Sequence, residues 1–166
     1  MRQLYLLLLL ATNAAFASAA SDKGLEEDLT NALRLKPGTN ERAGDSGKAI
    51  QAYMKEGVVN KKPNQRADYV DYYVVKKPAS FMGHALVVIE EEYMSKYVGC
   101  CVDPGVGITV RLTGSPRNLE EFVEANKCSW DSRVDAQAAL RRLGIKTVLR
   151  QGRYAYLSCR ENDTRR

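Results

Sequence analysis

Hydrophobic and polar residues alternate from residue 107 to residue 112, which is the repeat expected for a β-strand with one buried face. The apolar positions are Ile108, Val110 and Leu112. Three further segments, 68–75, 84–94 and 96–103, are rich in β-branched and aromatic residues and are also predicted to be strands. A hairpin that turns at Gln151 and Gly152 is expected to close the chain.

Other segments have apolar residues at intervals of three and four, which is typical of helices. One such segment begins at Ser46, one carries Leu119, Phe122 and Val123, and one carries Ala136, Ala139, Leu140 and Leu143. Strands followed by helices and then by further strands indicate an α+β fold. We therefore predict an antiparallel sheet with two or three helices on one face, formed by residues 45–166, after a disordered N-terminal region.

The first 20 residues have the features of a signal peptide. An early cation precedes an apolar run over residues 4–11, and small residues follow up to Ala19 and Ala20, near which signal peptidase is expected to cut. Thr12 and Asn13 interrupt the apolar run long before the roughly 20 residues needed to cross a bilayer. The sequence therefore predicts a secreted protein without a membrane-spanning segment.

Residues 21–44 are polar and contain few aromatic or β-branched side chains. Leu25, Leu29 and Leu33 have helical spacing, but Pro37 would end such a helix. A segment of this composition is expected to bury too little apolar area to offset the entropy lost on ordering. We therefore predict that residues 21–44 form a disordered leader between the signal peptide and the folded domain.

The charge of the chain bears on the class of partner. The sequence has 25 basic and 20 acidic residues, and removal of the signal peptide with Arg2 leaves 24 basic residues. These charges are interspersed, as on an ordinary solvated surface, whereas a nucleic-acid groove needs clustered cations and exposed aromatic rings. No nucleic-acid partner is expected.

Two short motifs lie in the predicted leader. The first is NALR, residues 31–34, and the second is NERA, residues 40–43. Behind a signal peptide, this order and spacing resemble the RxLR-type effectors of oomycete plant pathogens, which carry an Arg-x-Leu-Arg motif and then an acidic Glu-Glu-Arg element. The matching residues are Leu33, Arg34, Glu41 and Arg42, whereas Asn31 replaces the first Arg and Asn40 replaces the first Glu.

The resemblance implies a function as well as a route. It implies a virulence protein that is secreted and delivered into the cytoplasm or nucleus of host plant cells, where it binds a host protein and suppresses immune signalling or cell death. The motifs would be the delivery signal, and the domain behind them would bind the host protein. The alternative is an extracellular binding module or protease inhibitor that is stabilised by disulfides.

The cysteines bear on this choice between compartments. The chain has four, at Cys100, Cys101, Cys128 and Cys159, and four cysteines allow three disulfide connectivities. Cys100 and Cys101 are adjacent on a predicted strand, so their side chains would point to opposite faces. Each would need its own partner, and Cys128 and Cys159 are the candidates. Buried free thiols are the other interpretation, favoured in a reducing host cytosol.

Few residues suggest catalysis or metal binding. His84 is the only histidine and no CxxC pair is present, so we predict no metal site and no cofactor. Glu90, Glu91 and Glu92 could place carboxylates near Arg111, but neighbouring strand residues alternate faces and charges commonly protect sheet edges. The sequence favours a binding protein over an enzyme.

One modification signal is present near the end of the chain. Asn162 begins an Asn-x-Thr sequon, which is a candidate N-glycosylation site in a secreted protein.

Overall fold

A computed structural model of the chain describes residues 13–92 and 103–165, with side chains for 23–92 and 103–163. The α+β fold is confirmed, since the described residues form four α-helices and a seven-stranded antiparallel sheet. The helices are α1 (Asn13–Leu33), α2 (Ser46–Lys55), α3 (Arg117–Ala125) and α4 (Ala136–Arg142). The strands are β1 (Gln65–Ala67), β2 (Val70–Val74), β3 (Ser80–Phe81), β4 (His84–Glu92), β5 (Gly105–Arg111), β6 (Ser129–Asp131) and β7 (Tyr154–Arg160).

The sheet order is β1-β2-β4-β5-β7-β6, and the short β3 pairs with β4 outside this path. Three helices, α1, α2 and α3, pack on one face and form the main core with apolar residues of β2, β4, β5 and β7. The fourth helix, α4, packs on the other face, where Leu140 contacts a smaller cluster that includes Val74 and Val88. Both faces of the central strands are therefore buried.

Strand alternation assigns each residue to one of these faces. On β5, Val106, Ile108 and Val110 lie in the main core, as the sequence pattern predicts. On β4 the alternation shifts at a bulge between Leu86 and Val88, which lets both Leu86 and Ile89 enter the main core. The face that carries α4 receives Val88 and, farther along the strand, Glu90 and Glu92.

The prediction of a disordered leader is wrong for residues 23–44. Helix α1 runs to Leu33, and Leu25, Leu29 and Leu33 are buried in the main core. The helix is also attached to β3, because the Glu26 carboxylate accepts hydrogen bonds from Ser80 Oγ at 2.6 Å and Met82 N at 2.7 Å. The proposed domain boundary at residue 45 therefore does not separate unfolded from folded chain.

The predicted terminal hairpin is not formed. Residues 145–150 do not form one arm of a terminal hairpin, and Val148 is 93% exposed; β7 pairs instead with β5 and β6. The predicted strand at 96–103 lies almost entirely outside the described residues.

The burial of α1 gives a direct test of its role in stability. Replacing Leu29, which is 0% exposed, with Ala should lower the free energy of unfolding by about 2–5 kcal/mol, because it leaves a cavity in the core. The matched control on the exposed side of the same helix is Glu27→Ala, which should change it by less than about 0.5 kcal/mol. Urea denaturation of both variants is the measurement, and equal stability of the two would contradict a packed α1.

Candidate functional site

The chain turns back on itself directly after α1. Residues 34–44 form a small hairpin in which Lys36 N donates to Glu41 O and Ala43 N donates to Arg34 O, both at 2.8 Å. Gly38 at its tip has a φ of 74°, a conformation that glycine adopts without strain. We call this segment the leader hairpin. It contains the NERA motif and begins with Arg34, the last residue of NALR, whereas residues 31–33 form the end of α1.

Arg42 joins the leader hairpin to three other parts of the fold. Its Nη1 donates to Leu33 O at the end of α1 at 2.9 Å and to Asn126 O after α3 at 2.8 Å. Its Nη2 donates to Arg160 O at the end of β7 at 3.1 Å. Carbonyls at helix C-termini lack partners within the helix and attract cations, so a guanidinium is well suited to this position.

The remaining motif residues divide into buried and exposed sets. Leu33 is fully buried, and the backbone carbonyl of the half-buried Asn31 accepts from Gly44 N at 2.8 Å. Arg34, Asn40 and Glu41 are exposed. Only the exposed residues are available to a binding partner while the domain is folded.

Two of the exposed residues make surface contacts. Glu41 pairs with Lys36 at 2.8 Å, and this hydrogen bond and the ammonium charge lower the pKa of the Glu41 carboxyl. Asn40 Oδ1 accepts from Lys127 Nζ at 3.0 Å. These contacts orient the side chains of the leader hairpin without burying them.

No protein-family model, curated protein or solved structure matches this chain.

One disulfide joins the core to the segment after α3. Cys128 is bonded to Cys159 on β7, with their Cα atoms 4.4 Å apart, and Cys159 is fully buried. The expected pairing of these two cysteines with Cys100 and Cys101 is therefore wrong. Cys100 and Cys101 lie outside the described residues.

The three consecutive glutamates of β4 alternate between the two faces, as predicted. Glu91 is buried beside α2, where its Oε1 accepts from Ser46 Oγ at 3.2 Å. Burial raises the pKa of the Glu91 carboxyl, and the nearby charges of Asp71 and Asp45 raise it further. Glu90 and Glu92 lie on the opposite face, which is the one that carries α4.

The basic partner of Glu90 and Glu92 is Arg160 rather than Arg111. Arg160 Nη1 forms a short ion pair with Glu92, and its Nη2 lies 3.4 Å from Glu90 Oε2. The same Glu90 oxygen accepts a hydrogen bond from the Tyr156 hydroxyl at 3.0 Å. Burial raises the pKa of both Glu90 and Tyr156.

A glycine on the intervening strand makes the Glu90–Tyr156 contact possible. Gly107 on β5 is paired with Glu90, and a Cβ at this position would lie 2.8 Å from Tyr156 Oη and 3.1 Å from Glu90 Oε2. Tyr156 and Arg160 were missed in the sequence analysis. The alternation along β7 could have identified them, because its apolar residues Ala155, Leu157 and Cys159 occupy the other face.

Two further residues named in the sequence analysis are His84 and Asn162. His84 is buried, and its Nδ1 accepts from Thr113 N at 3.1 Å. Asn162 is exposed, so the predicted glycosylation site is accessible and stays a prediction. Within 13–92 and 103–165, no three metal-ligating side chains come together and no helix has the length and apolarity to span a membrane.

The contacts of Arg42 predict that its replacement destabilises the protein, whereas replacement of Arg34, the arginine of the first motif, does not. Arg42→Ala should lower the free energy of unfolding by at least about 2 kcal/mol, because three carbonyl acceptors lose a charged donor. Arg34→Ala removes an equal charge from an exposed position and should change stability by less than about 0.5 kcal/mol. Thermal and urea unfolding check both values, and a fully stable Arg42→Ala protein would rule out a stabilising role for the three Arg42 hydrogen bonds.

The raised pKa of Glu91 predicts a pH-dependent contribution to stability. Because the folded protein holds the Glu91 proton more tightly than the unfolded chain, this contribution is complete below the ordinary pKa of 4.5 and is lost as pH rises through the folded pKa. The free energy of unfolding of wild type relative to Glu91→Gln should therefore fall as pH increases above about 4.5. Urea titrations from pH 4 to pH 8 measure this difference, with Glu120→Gln as the exposed control.

Proposed function

We propose that this protein is a secreted virulence effector that enters host plant cells, binds a host protein there and suppresses immune signalling or cell death. The observation that carries the proposal is the order and spacing of the NALR and NERA motifs behind a predicted signal peptide. The leader hairpin supports it, because Arg34, Asn40 and Glu41 are exposed together on one short segment. A delivery receptor could therefore bind these side chains without unfolding the domain.

The packing of α1 limits how such a protein could be processed. A cut after Arg34 would detach Leu25, Leu29 and Leu33 from the core, whereas a cut near Ala20 would retain all three. We therefore propose that the delivered form begins near Ser21 and keeps residues 21–33 of α1, which include all three leucines. In this form Leu33 and Arg42 maintain the fold, and the exposed motif residues serve delivery.

The alternative is an extracellular binding module or protease inhibitor. The Cys128–Cys159 disulfide favours it, since disulfides persist in oxidising compartments and are rare in the cytosol. The chain-entropy model assigns roughly 3–4 kcal/mol to a bond that closes a loop of this length, with 31 residues of sequence separation. A domain that works in the cytosol would have to remain folded without this contribution.

Expression in plant leaves in two forms distinguishes the compartments. One form begins at Ser21 and stays in the cytosol, and the other keeps its leader and is secreted to the outside of the cell. We expect the cytosolic form to reduce the cell death that an oomycete elicitor triggers by at least half. Activity confined to the secreted form would favour the extracellular module, and inactivity of both forms, at confirmed protein levels, would contradict immune suppression.

The delivery step needs a separate comparison, made with protein supplied from outside the cell. The Arg34→Ala, Glu41→Ala double variant should enter host cells less than wild type while unfolding at the same temperature, because both side chains are exposed. The control is Lys48→Ala, which removes an exposed charge outside both motifs and outside the Lys36–Glu41 pair. Equal uptake of all three proteins would exclude these motif residues from delivery.

A further inference from the structure

A cavity of about 280 Å³ lies between α4 and the sheet face opposite α1. Its floor is formed by β2, β4, β5 and β7, and its roof is formed by apolar residues that include Leu140 of α4 and Leu143, the residue directly after the helix. This volume is slightly below the range of about 300–1,000 Å³ found for pockets that take drug-sized molecules. The cavity therefore suits a smaller group with an aliphatic part.

One charged side chain, that of Glu90, is present among the described residues that line the cavity. Its Oε2 accepts from Tyr156 and lies near Arg160, whereas its Oε1 has no hydrogen-bond partner within the described chain. Arg160 is also shared with Glu92, so two carboxylates face one guanidinium. When both carboxylates are ionised, one negative charge is not balanced by Arg160, which favours a cationic occupant. Burial raises the pKa of Glu90, and a bound cation would counter this effect by favouring the ionised carboxylate.

Two tyrosines flank this carboxylate. Tyr72 on β2 is directly opposite Glu90 on β4, and Tyr156 reaches Glu90 from β7 across Gly107. Both tyrosines line the cavity. Aromatic rings beside a carboxylate are a recurrent arrangement for ammonium groups, because the ring faces attract cations.

We propose that this cavity binds an alkylammonium group, with the ammonium at Glu90 between Tyr72 and Tyr156 and the aliphatic part under α4. Either a free aliphatic amine or a lysine side chain of a partner protein supplies this chemistry. The site does not depend on the proposed delivery, because no residue of the leader hairpin lines it.

Titration followed by NMR tests the proposal on the secreted protein. The probes are n-pentylamine, Nα-acetyl-lysine N-methylamide, whose ε-amine is free, and the neutral isostere n-pentanol. We expect both cations to shift the signals of Val88, Leu140 and Leu143, and n-pentanol to bind at least tenfold more weakly. Tighter binding of the lysine derivative would indicate a partner's side chain, and tighter binding of n-pentylamine would indicate a free amine.

Matched variants separate the role of the charge from that of the fold. Glu90→Gln keeps the shape and a hydrogen-bond acceptor for Tyr156, and should weaken cation binding at least tenfold while n-pentanol binding is unchanged. Glu91→Gln, one residue along the same strand but on the other face, should leave cation binding unchanged. Tyr72→Leu should weaken it about threefold to tenfold through loss of one ring.

Three results would overturn the proposal: binding of n-pentanol as tight as that of n-pentylamine, unchanged cation affinity in Glu90→Gln, or no shift of the cavity signals with either cation. The melting temperature and spectrum of Glu90→Gln itself show whether any loss of binding arises from misfolding, and Glu91→Gln is the matched control because it removes the same charge from the same strand. A Glu90→Gln protein that unfolds is replaced by Tyr72→Leu as the deciding variant.

Discussion

The guanidinium of Arg42 is the contact on which the arrangement of the N-terminal part depends. It donates hydrogen bonds to carbonyls at the ends of α1, α3 and β7, which lie 9, 84 and 118 residues from Arg42 in the chain. The leader hairpin brings Arg42 to this point, and α1 can lie on the sheet because its end is held there. Main-chain acceptors of three elements thus share one donor, and buried acceptors that lose a donor are costly.

This arrangement makes the same short segment serve two purposes under the proposed function. Leu33 and Arg42 match the motifs by sequence, yet their burial and contacts are those of core and cap residues. Arg34 and Glu41, their neighbours, are exposed. Under this proposal, a receptor could bind only the motif side chains that are exposed on the folded hairpin. A partial match to the motifs would then suffice if it preserves these exposed side chains.

Several strands and helices could be predicted because the sequence patterns that specify them are local. The alternation on β5 and the apolar spacing of α4 each specify an element and its buried side without reference to the rest of the chain. The average composition of residues 21–44 predicts disorder, whereas the spacing of Leu25, Leu29 and Leu33 is that of one helical face. Those leucines are stable in a helix only because a distant sheet covers them, and tertiary packing supplies most of the stability of a helix.

The candidate cavity could not have been predicted from any single segment. Glu90 and Tyr156 are 66 residues apart, and their contact requires that β5 lie between their strands with a glycine at the crossing point. Strand alternation separates Glu91 from Glu90 and Glu92, but only the order and register of the strands place Arg160 beside these two carboxylates.

The two faces of the sheet consequently carry different kinds of residue. The face under α1, α2 and α3 supplies the main apolar core, and the face under α4 holds carboxylates, phenols and a guanidinium beside a smaller apolar cluster. Polar groups in a protein interior cost stability unless they are paired, and here the pairing is incomplete at Glu90. Helix α4 has seven residues and leaves space at its edge, so a cavity lined by Glu90 remains on this face. The stability of the core does not require such a cavity.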